Sequence, residues 1–249
     1  DAMDDWEDYV NFLAARYNGG AYGKIYHYII WNENSNSLWF DYSPVVRNRG
    51  VQSQEDINKS VQKYADMLRR AYAAIARHDT GVVLDVSTLQ SWTPPPVGTN
   101  EVSDFGTKTL LDGLWNILGT SIDWSLAVHP YGEPIELPLT SAYVFSNLSQ
   151  VADYMAQKLR ERGITDTQNH PQAWMIASEQ LPFDPNITDG AYRARNMCIA
   201  YDYALKTPGL TPVGATRIDL TWAAASDNVG VTLYRIERCS GAGCADFSE

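Results

Sequence analysis

Residues 122–129, IDWSLAVH, decide the predicted fold, because an apolar run of strand length ends there in a histidine. Apolar residues at helical spacing precede this run over residues 107–118 and follow it over residues 147–162. The same alternation of buried strand and amphipathic helix recurs along the chain, with strands predicted in KIYHYIIW (24–31), TGVVLDVST (80–88), IDWSLAVH (122–129) and AWMIASE (173–179). Strands joined by long helices predict right-handed crossovers and a parallel sheet covered by helices.

Two α/β architectures fit this order of elements, a doubly wound sheet and a (β/α) barrel. A doubly wound nucleotide-binding sheet typically has a glycine-rich turn after a strand, and no GxGxxG or GxxxxGK follows any of the four strands. Acids, amides, histidine and tryptophan follow them instead. Functional side chains at the carboxyl ends of successive strands are typical of barrels, so we predict a barrel segment over residues 1–210.

The composition disfavours two classes of interaction, with nucleic acid and across a membrane. The 249 residues are 45% hydrophobic and 12% aromatic, and the formal net charge is −11. A negative surface repels phosphate backbones, which disfavours nucleic acid as a partner, and no apolar run reaches the 18 or so residues of a membrane span. Among eight tryptophans, Trp39 and Trp92 follow strand ends. They either pack in the core or stack on sugar rings.

Two glutamates stand at strand ends, Glu33 after YIIWN and Glu179 after MIAS. Retaining glycosidases need two carboxylates about 5–5.5 Å apart, one to protonate the leaving oxygen and one to attack the anomeric carbon. Taken alone, a glutamate at a strand end is more often a solvated turn residue. His129 equally fits a side chain that caps the end of its strand with a hydrogen bond. The four histidines lack metal-ligand spacing, so we expect neither a metal site nor a cofactor.

The order of three motifs resembles that of clan A glycoside hydrolases. IIWNEN (29–34) is similar to their fourth-strand Asn-Glu, AVHPYGEP (127–134) to their sixth-strand His-x-Tyr, and ASEQ (177–180) to their seventh-strand glutamate. The resemblance covers about residues 1–210 and implies strands four to seven of a (β/α)8 TIM barrel, without the first three strands or the eighth.

The same resemblance implies a cofactor-free retaining glycoside hydrolase that acts on a poly- or oligosaccharide. It implies roles for five side chains: Glu33 as acid/base, Asn32 and His129 as substrate-binding residues, Tyr131 as a contact of the nucleophile, and Glu179 as that nucleophile. The two alternatives are a carbohydrate-binding protein without turnover and a structural surface or filament protein on the same scaffold. The oligomeric state is not indicated by the sequence.

Residues 211–249 change to an apolar-polar alternation of period two. LTWAAASDNVGVTLYRIER (220–238) resembles the first strands of a bacterial fibronectin type III module, which predicts an incomplete β-sandwich segment. Cys239 and Cys244 close a short glycine-rich loop, and we expect them to form a disulfide, while Cys198 fits a buried thiol. A disulfide implies an oxidising compartment, so we expect a secreted bacterial protein.

Overall fold

The structure is a computed structural model that describes residues 2–36, 40, 53–94 and 104–211. Trp39, Cys239 and Cys244 lie outside the described residues, and so does the fibronectin-like segment except for its first residue. The predictions made for them remain predictions.

The described chain alternates helices and strands in the predicted order. Its helices are α1 (Ala2–Arg16), α2 (Gln54–Ala76), α3 (Thr107–Ile117), α4 (Leu148–Arg160) and α5 (Gly190–Lys206). Its strands are β1 (Asn18–Gly20), β2 (Gly23–Lys24), β3 (Tyr28–Ile30), β4 (Leu84–Thr88), β5 (Trp124–Val128), β6 (Met175–Ala177) and β7 (Leu210–Thr211). Strands β1 and β2 form a small antiparallel hairpin that the sequence analysis did not predict.

Strands β3 to β7 form one sheet of five parallel strands in sequence order. The fifth strand corrects the sequence analysis, which predicted four strands and no counterpart of an eighth barrel strand. Leu210 pairs with Met175, and the backbone N–H of Met175 donates to the carbonyl of Gly209 at 2.8 Å. Two residues are too short for any periodicity, so the pattern of the sequence could not identify this strand.

A capping box starts the longest helix, α2, at the serine that precedes it. The hydroxyl of Ser53 accepts a hydrogen bond from the backbone N–H of Asp56, and the Asp56 carboxylate accepts one from the N–H of Ser53. These bonds satisfy backbone donors that the first turn of a helix leaves free. Tyr64, Leu68 and Ile75, on the apolar stripe of α2, are fully buried.

The two faces of the sheet differ in chemistry. Leu84 and Val86 of β4 alternate with Asp85 and Ser87, so the two pairs point to opposite sides. The apolar pair belongs to the hydrophobic core, together with apolar residues of α2, α3 and α4. Asp85 lies beside Ser125 in the register of β4 and β5. One face of the sheet therefore anchors the helices, and the other carries polar groups.

Two further observations concern the helices. None of those in the described ranges combines the length and apolarity needed to cross a bilayer. Cys198 is exposed on α5, so the prediction of a buried thiol was wrong. The buried residues of α5 are Asn196, Ala200 and Ala204, at a spacing of four, and position 198 lies on a different side of that helix.

Candidate active site

Four consecutive parallel strands each bring one polar side chain to the same edge of the sheet. Glu33 follows β3, Ser87 lies near the end of β4, His129 directly follows β5, and Glu179 follows β6. The carboxyl ends of parallel strands meet at one edge, and loops there hold the functional residues of barrels. Glu33, His129 and Glu179 were predicted from the sequence as site residues, whereas Ser87 was not.

The backbone around Glu33 is held in an uncommon conformation. Trp31 and Glu33 have φ angles of 65° and 47°, in the left-handed region that costs a non-glycine residue about 1–2 kcal/mol. The Glu33 N–H donates to the Ser87 hydroxyl at 3.0 Å, and that hydroxyl donates to Asn32 Oδ1 at 3.4 Å. The twisted loop turns the Glu33 side chain inward, where it is 7% exposed. Strain of this kind is concentrated at functional sites.

His129 lies between the two glutamates and is buried. Its Nδ1 is 2.9 Å from Glu33 Oε1 and 3.9 Å from Glu179 Oε2. The backbone N–H of His129 donates to the Tyr143 hydroxyl at 3.2 Å, and this hydroxyl donates to the carbonyl of Thr88 at 2.8 Å. Burial raises the pKa of Tyr143, so the phenol keeps the proton that it donates. Tyr143, a second residue that the sequence analysis missed, thus joins the ends of β4 and β5.

Glu179 is half-exposed and receives a hydrogen bond from the Tyr131 hydroxyl at 2.6 Å. A parallel bridge between Tyr131 and Leu181 brings the two loops together, with the Gly132 N–H donating to the Leu181 carbonyl at 2.8 Å. Burial raises the pKa of Tyr131, and the hydrogen bond to Glu179 and the charges of Glu179 and Glu33 raise it further. Tyr131 therefore remains a protonated donor to Glu179 at neutral pH.

The three side chains form one compact cluster. One oxygen of Glu33, one oxygen of Glu179 and one ring nitrogen of His129 all lie within 4.8 Å of one another. The surroundings of the two carboxylates differ, since Glu33 is buried against an imidazole whereas Glu179 faces solvent beside a phenol. Such a pair can divide proton transfer and nucleophilic attack between two carboxyl groups.

Trp92, one of the two tryptophans predicted to bind substrate, packs in the core. Trp92 is 5% exposed, and its ring packs edge-on against Tyr154, with 5.2 Å between ring centroids. This environment agrees with the first of the two alternatives for Trp92, packing in the core. A contact between Trp92 and a sugar stays a prediction. Trp31, which the sequence placed inside a strand, instead follows β3 and is 48% exposed.

A second polar cluster lies on the same face of the sheet but on residues earlier in the strands. Asp85 is fully buried, its carboxylate is 2.9 Å from His27 Nδ1, and it accepts a hydrogen bond from Ser125 Oγ. The hydrogen bond to Asp85 raises the pKa of His27, although partial burial opposes the shift. Asp85 is thus a buried acid paired with two neighbouring side chains.

Sequence comparison places the chain in a family. A family model described as a family of unknown function, DUF5722, matches residues 2–169. The chain belongs to DUF5722. None of the curated proteins matches the chain significantly. Membership in DUF5722 does not assign a reaction to the chain.

Two solved structures resemble the DUF5722 chain in fold at 13% sequence identity. A glucosidase from Croceicoccus marinus has a TM-score of 0.53, with 84% of this chain and 38% of that chain covered. A hyperthermophilic β-glucosidase mutant has a TM-score of 0.48, with 84% of this chain and 50% of that chain covered. The chain thus spans half or less of the length of either protein. The likeness to the first structure gives the chain a glycoside hydrolase-like fold with a parallel sheet.

Proposed function

We propose that this protein is a retaining glycoside hydrolase that acts on a poly- or oligosaccharide, with Glu33 as acid/base and Glu179 as nucleophile. One observation carries the proposal: oxygens of these glutamates lie within 4.8 Å of each other at the carboxyl edge of a glycoside hydrolase-like sheet. Retaining enzymes hold their carboxyl groups about 5–5.5 Å apart, whereas inverting enzymes need about 6.5–9.5 Å to admit a water molecule. The short separation favours the retaining reaction.

The environment of each glutamate supports its role. Glu179 Oε2 accepts the hydrogen bond of Tyr131, and its half-exposed side chain leaves room for a sugar to approach. Glu33 contacts His129 in the interior, where one proton can lie between Oε1 and Nδ1. In the first step Glu179 attacks the anomeric carbon while Glu33 gives its proton to the departing oxygen. In the second step Glu33 removes a proton from a water molecule, whose oxygen attacks the anomeric carbon as the bond from that carbon to Glu179 breaks.

Azide rescue tests both roles, after a screen of aryl glycosides has found a substrate. Glu33→Ala should lose about 10²–10⁴-fold in turnover of sugars with poor leaving groups, because these need protonation. Cleavage of an activated aryl glycoside should be largely spared, and azide should then give a glycosyl azide of retained configuration. Azide with Glu179→Ala should give the inverted product, because the anion takes the place of the nucleophile.

A matched variant controls for the general effect of removing an acid. Glu161 caps the end of α4 and accepts a hydrogen bond from Gln157, away from the cluster, so Glu161→Gln should retain full turnover. Azide products of the opposite configurations would show that the roles of the glutamates are reversed. Saturable binding of an oligosaccharide without hydrolysis of any glycoside would favour the alternative of a carbohydrate-binding protein.

A further inference from the structure

The cluster at the carboxyl edge also has the composition of a metal site. Glu33, His129 and Glu179 present two carboxylate oxygens and one imidazole nitrogen within 4.8 Å of one another. Zn²⁺ binds imidazole nitrogen at about 2.0–2.1 Å and carboxylate oxygen at about 2.0–2.2 Å, usually with tetrahedral geometry. Two ligand atoms on such an ion lie about 3.3 Å apart. This value falls between the distances of 2.9 and 3.9 Å from His129 Nδ1 to the two glutamates.

We propose that Glu33, His129 and Glu179 bind Zn²⁺, and that the bound ion blocks the active site. The binding half of this inference is independent of the reaction, whereas the inhibitory half rests on the proposed glycosidase function. The ion would lie between the two carboxylates, where the anomeric carbon of a sugar must be held. Zinc and substrate would therefore exclude each other.

Charge and burial suit a divalent ion. Two carboxylates balance its charge, and a neutral imidazole completes three protein ligands, which leaves a fourth position for water. Glu33 and His129 are buried, so packing fixes two of the ligands. Glu179 is half-exposed, so its carboxylate can move, and a shift of at most about 1.5 Å takes the ligand atoms from within 4.8 Å of one another to the spacing of about 3.3 Å.

Neighbouring groups orient the three ligands. The Tyr131 hydroxyl donates to Glu179 Oε2, and the Ser87 hydroxyl holds the backbone of Glu33. The backbone of His129 is fixed by its hydrogen bond to Tyr143. Outer groups of this kind typically change metal affinity by about 10–100-fold. The site therefore has both the ligand atoms of a metal site and the neighbouring groups that orient them.

This inference revises the expectation of no metal site drawn from the histidine spacing. The ligands come from the ends of three strands, and 96 residues separate Glu33 from His129. Local spacing detects sites built on one helix or one loop, so it could not detect this one.

Calorimetric titration of chelator-treated protein with ZnCl₂ tests the binding. Free thiols are first alkylated, so that nitrogen and oxygen ligands remain. We expect one Zn²⁺ per chain with a micromolar or lower Kd. Glu179→Gln should weaken binding by at least tenfold, and since this side chain is half-exposed, its loss should leave the fold intact. His129→Asn should act in the same direction, with circular dichroism as the check that it folds.

Two control variants remove the same residue types elsewhere. His78, which contacts Asn11 on the surface, and Glu161 should be replaceable by Asn and Gln without effect on zinc affinity. Unchanged zinc affinity in Glu179→Gln, or no binding by the parent protein, would overturn the proposed site.

The proposed zinc site and the proposed glycosidase reaction can be tested independently of each other. Once a glycoside substrate is known, Zn²⁺ should raise its apparent KM at constant kcat, and chelation should reverse the effect. Zinc binding without any glycoside hydrolysis would sustain the metal site and remove the proposed function. Glycoside hydrolysis without zinc binding would sustain the proposed function and overturn the metal site.

Discussion

The Ser87 hydroxyl accepts a hydrogen bond from the backbone N–H of Glu33 at 3.0 Å, and it donates to Asn32 Oδ1 at 3.4 Å. One buried side chain of β4 therefore holds both the carboxyl-bearing residue and the neighbouring amide of the loop after β3. Because the Glu33 backbone is left-handed, it depends on such outside support. We assign Ser87 as a positioning residue.

Ser87→Ala should lower kcat about tenfold with a smaller change in KM, because Glu33 loses its fixed orientation while the site remains open. The buried N–H left without a partner should cost about 1–3 kcal/mol of unfolding free energy. Steady-state kinetics and urea denaturation measure the two effects.

Ser125→Ala is the matched control for Ser87→Ala. Ser125 is also a buried serine on the polar face of the sheet, but it donates to Asp85 rather than contacting Glu33. Its removal should lower stability and leave kcat unchanged, and Ser87→Thr should restore part of the lost kcat. An equal decrease in kcat in Ser87→Ala and Ser125→Ala would show that Ser87 has only a structural role.

Tyr131→Phe should reduce turnover by roughly 10- to 100-fold, as expected from losing a hydrogen bond to a charged group worth about 1.5–3 kcal/mol. The raised pKa of Tyr131 keeps its hydroxyl protonated, so the loss should be constant between pH 6 and 9. Tyr192→Phe is the control, because Tyr192 donates in the same way to Glu133. Turnover of Tyr131→Phe equal to that of the parent would contradict a role for this hydrogen bond.

Long periodic elements were predictable from the sequence. The helix predicted over residues 107–118 is observed as Thr107–Ile117, and the difference of one residue at its end is within what fraying allows. Burial on one face imposes the periodicity over many turns, so the pattern is strong. The order of the strands also placed Glu33, His129 and Glu179 after three strands of one predicted parallel sheet, and the structure brings them to one edge.

Short and non-local features were not predictable. Ser87 lies within an apolar strand, where a serine gives no sign that it contacts a loop 54 residues away. The left-handed backbone of Trp31 and Glu33 occurs without glycine, so no residue type marks it. The two-residue strand Leu210–Thr211 depends on backbone pairing with β6 rather than on side-chain pattern.

His27 should make stability depend on pH. The hydrogen bond to Asp85 raises the pKa of His27 above 6.5, its ordinary value. The pair should therefore contribute its full stability below about pH 6.5, and the contribution should be lost as pH rises through the raised pKa. In urea denaturation, the stability difference between the parent and His27→Gln should shrink between pH 6 and pH 9. The effect should be modest because half of the imidazole is solvent-exposed, and a difference that grows with pH would contradict it.

Gly209→Ala should destabilise the fold more than the same change at Gly163. Both glycines have left-handed backbones, with φ angles of 72° and 79°, so alanine costs about 1–2 kcal/mol at each from backbone strain. A Cβ at Gly209 would clash with the carbonyl oxygen of Ala173, whereas a Cβ at Gly163 meets nothing within 4 Å. Since Gly209 leads into β7 and its carbonyl accepts from Met175, relief of the clash must separate β7 from β6. We expect an additional loss of about 1–3 kcal/mol at Gly209, measured by guanidinium denaturation of both variants. Equal losses would mean that the backbone of Gly209 does not approach Ala173 this closely, and that β7 is not held against β6 in this way.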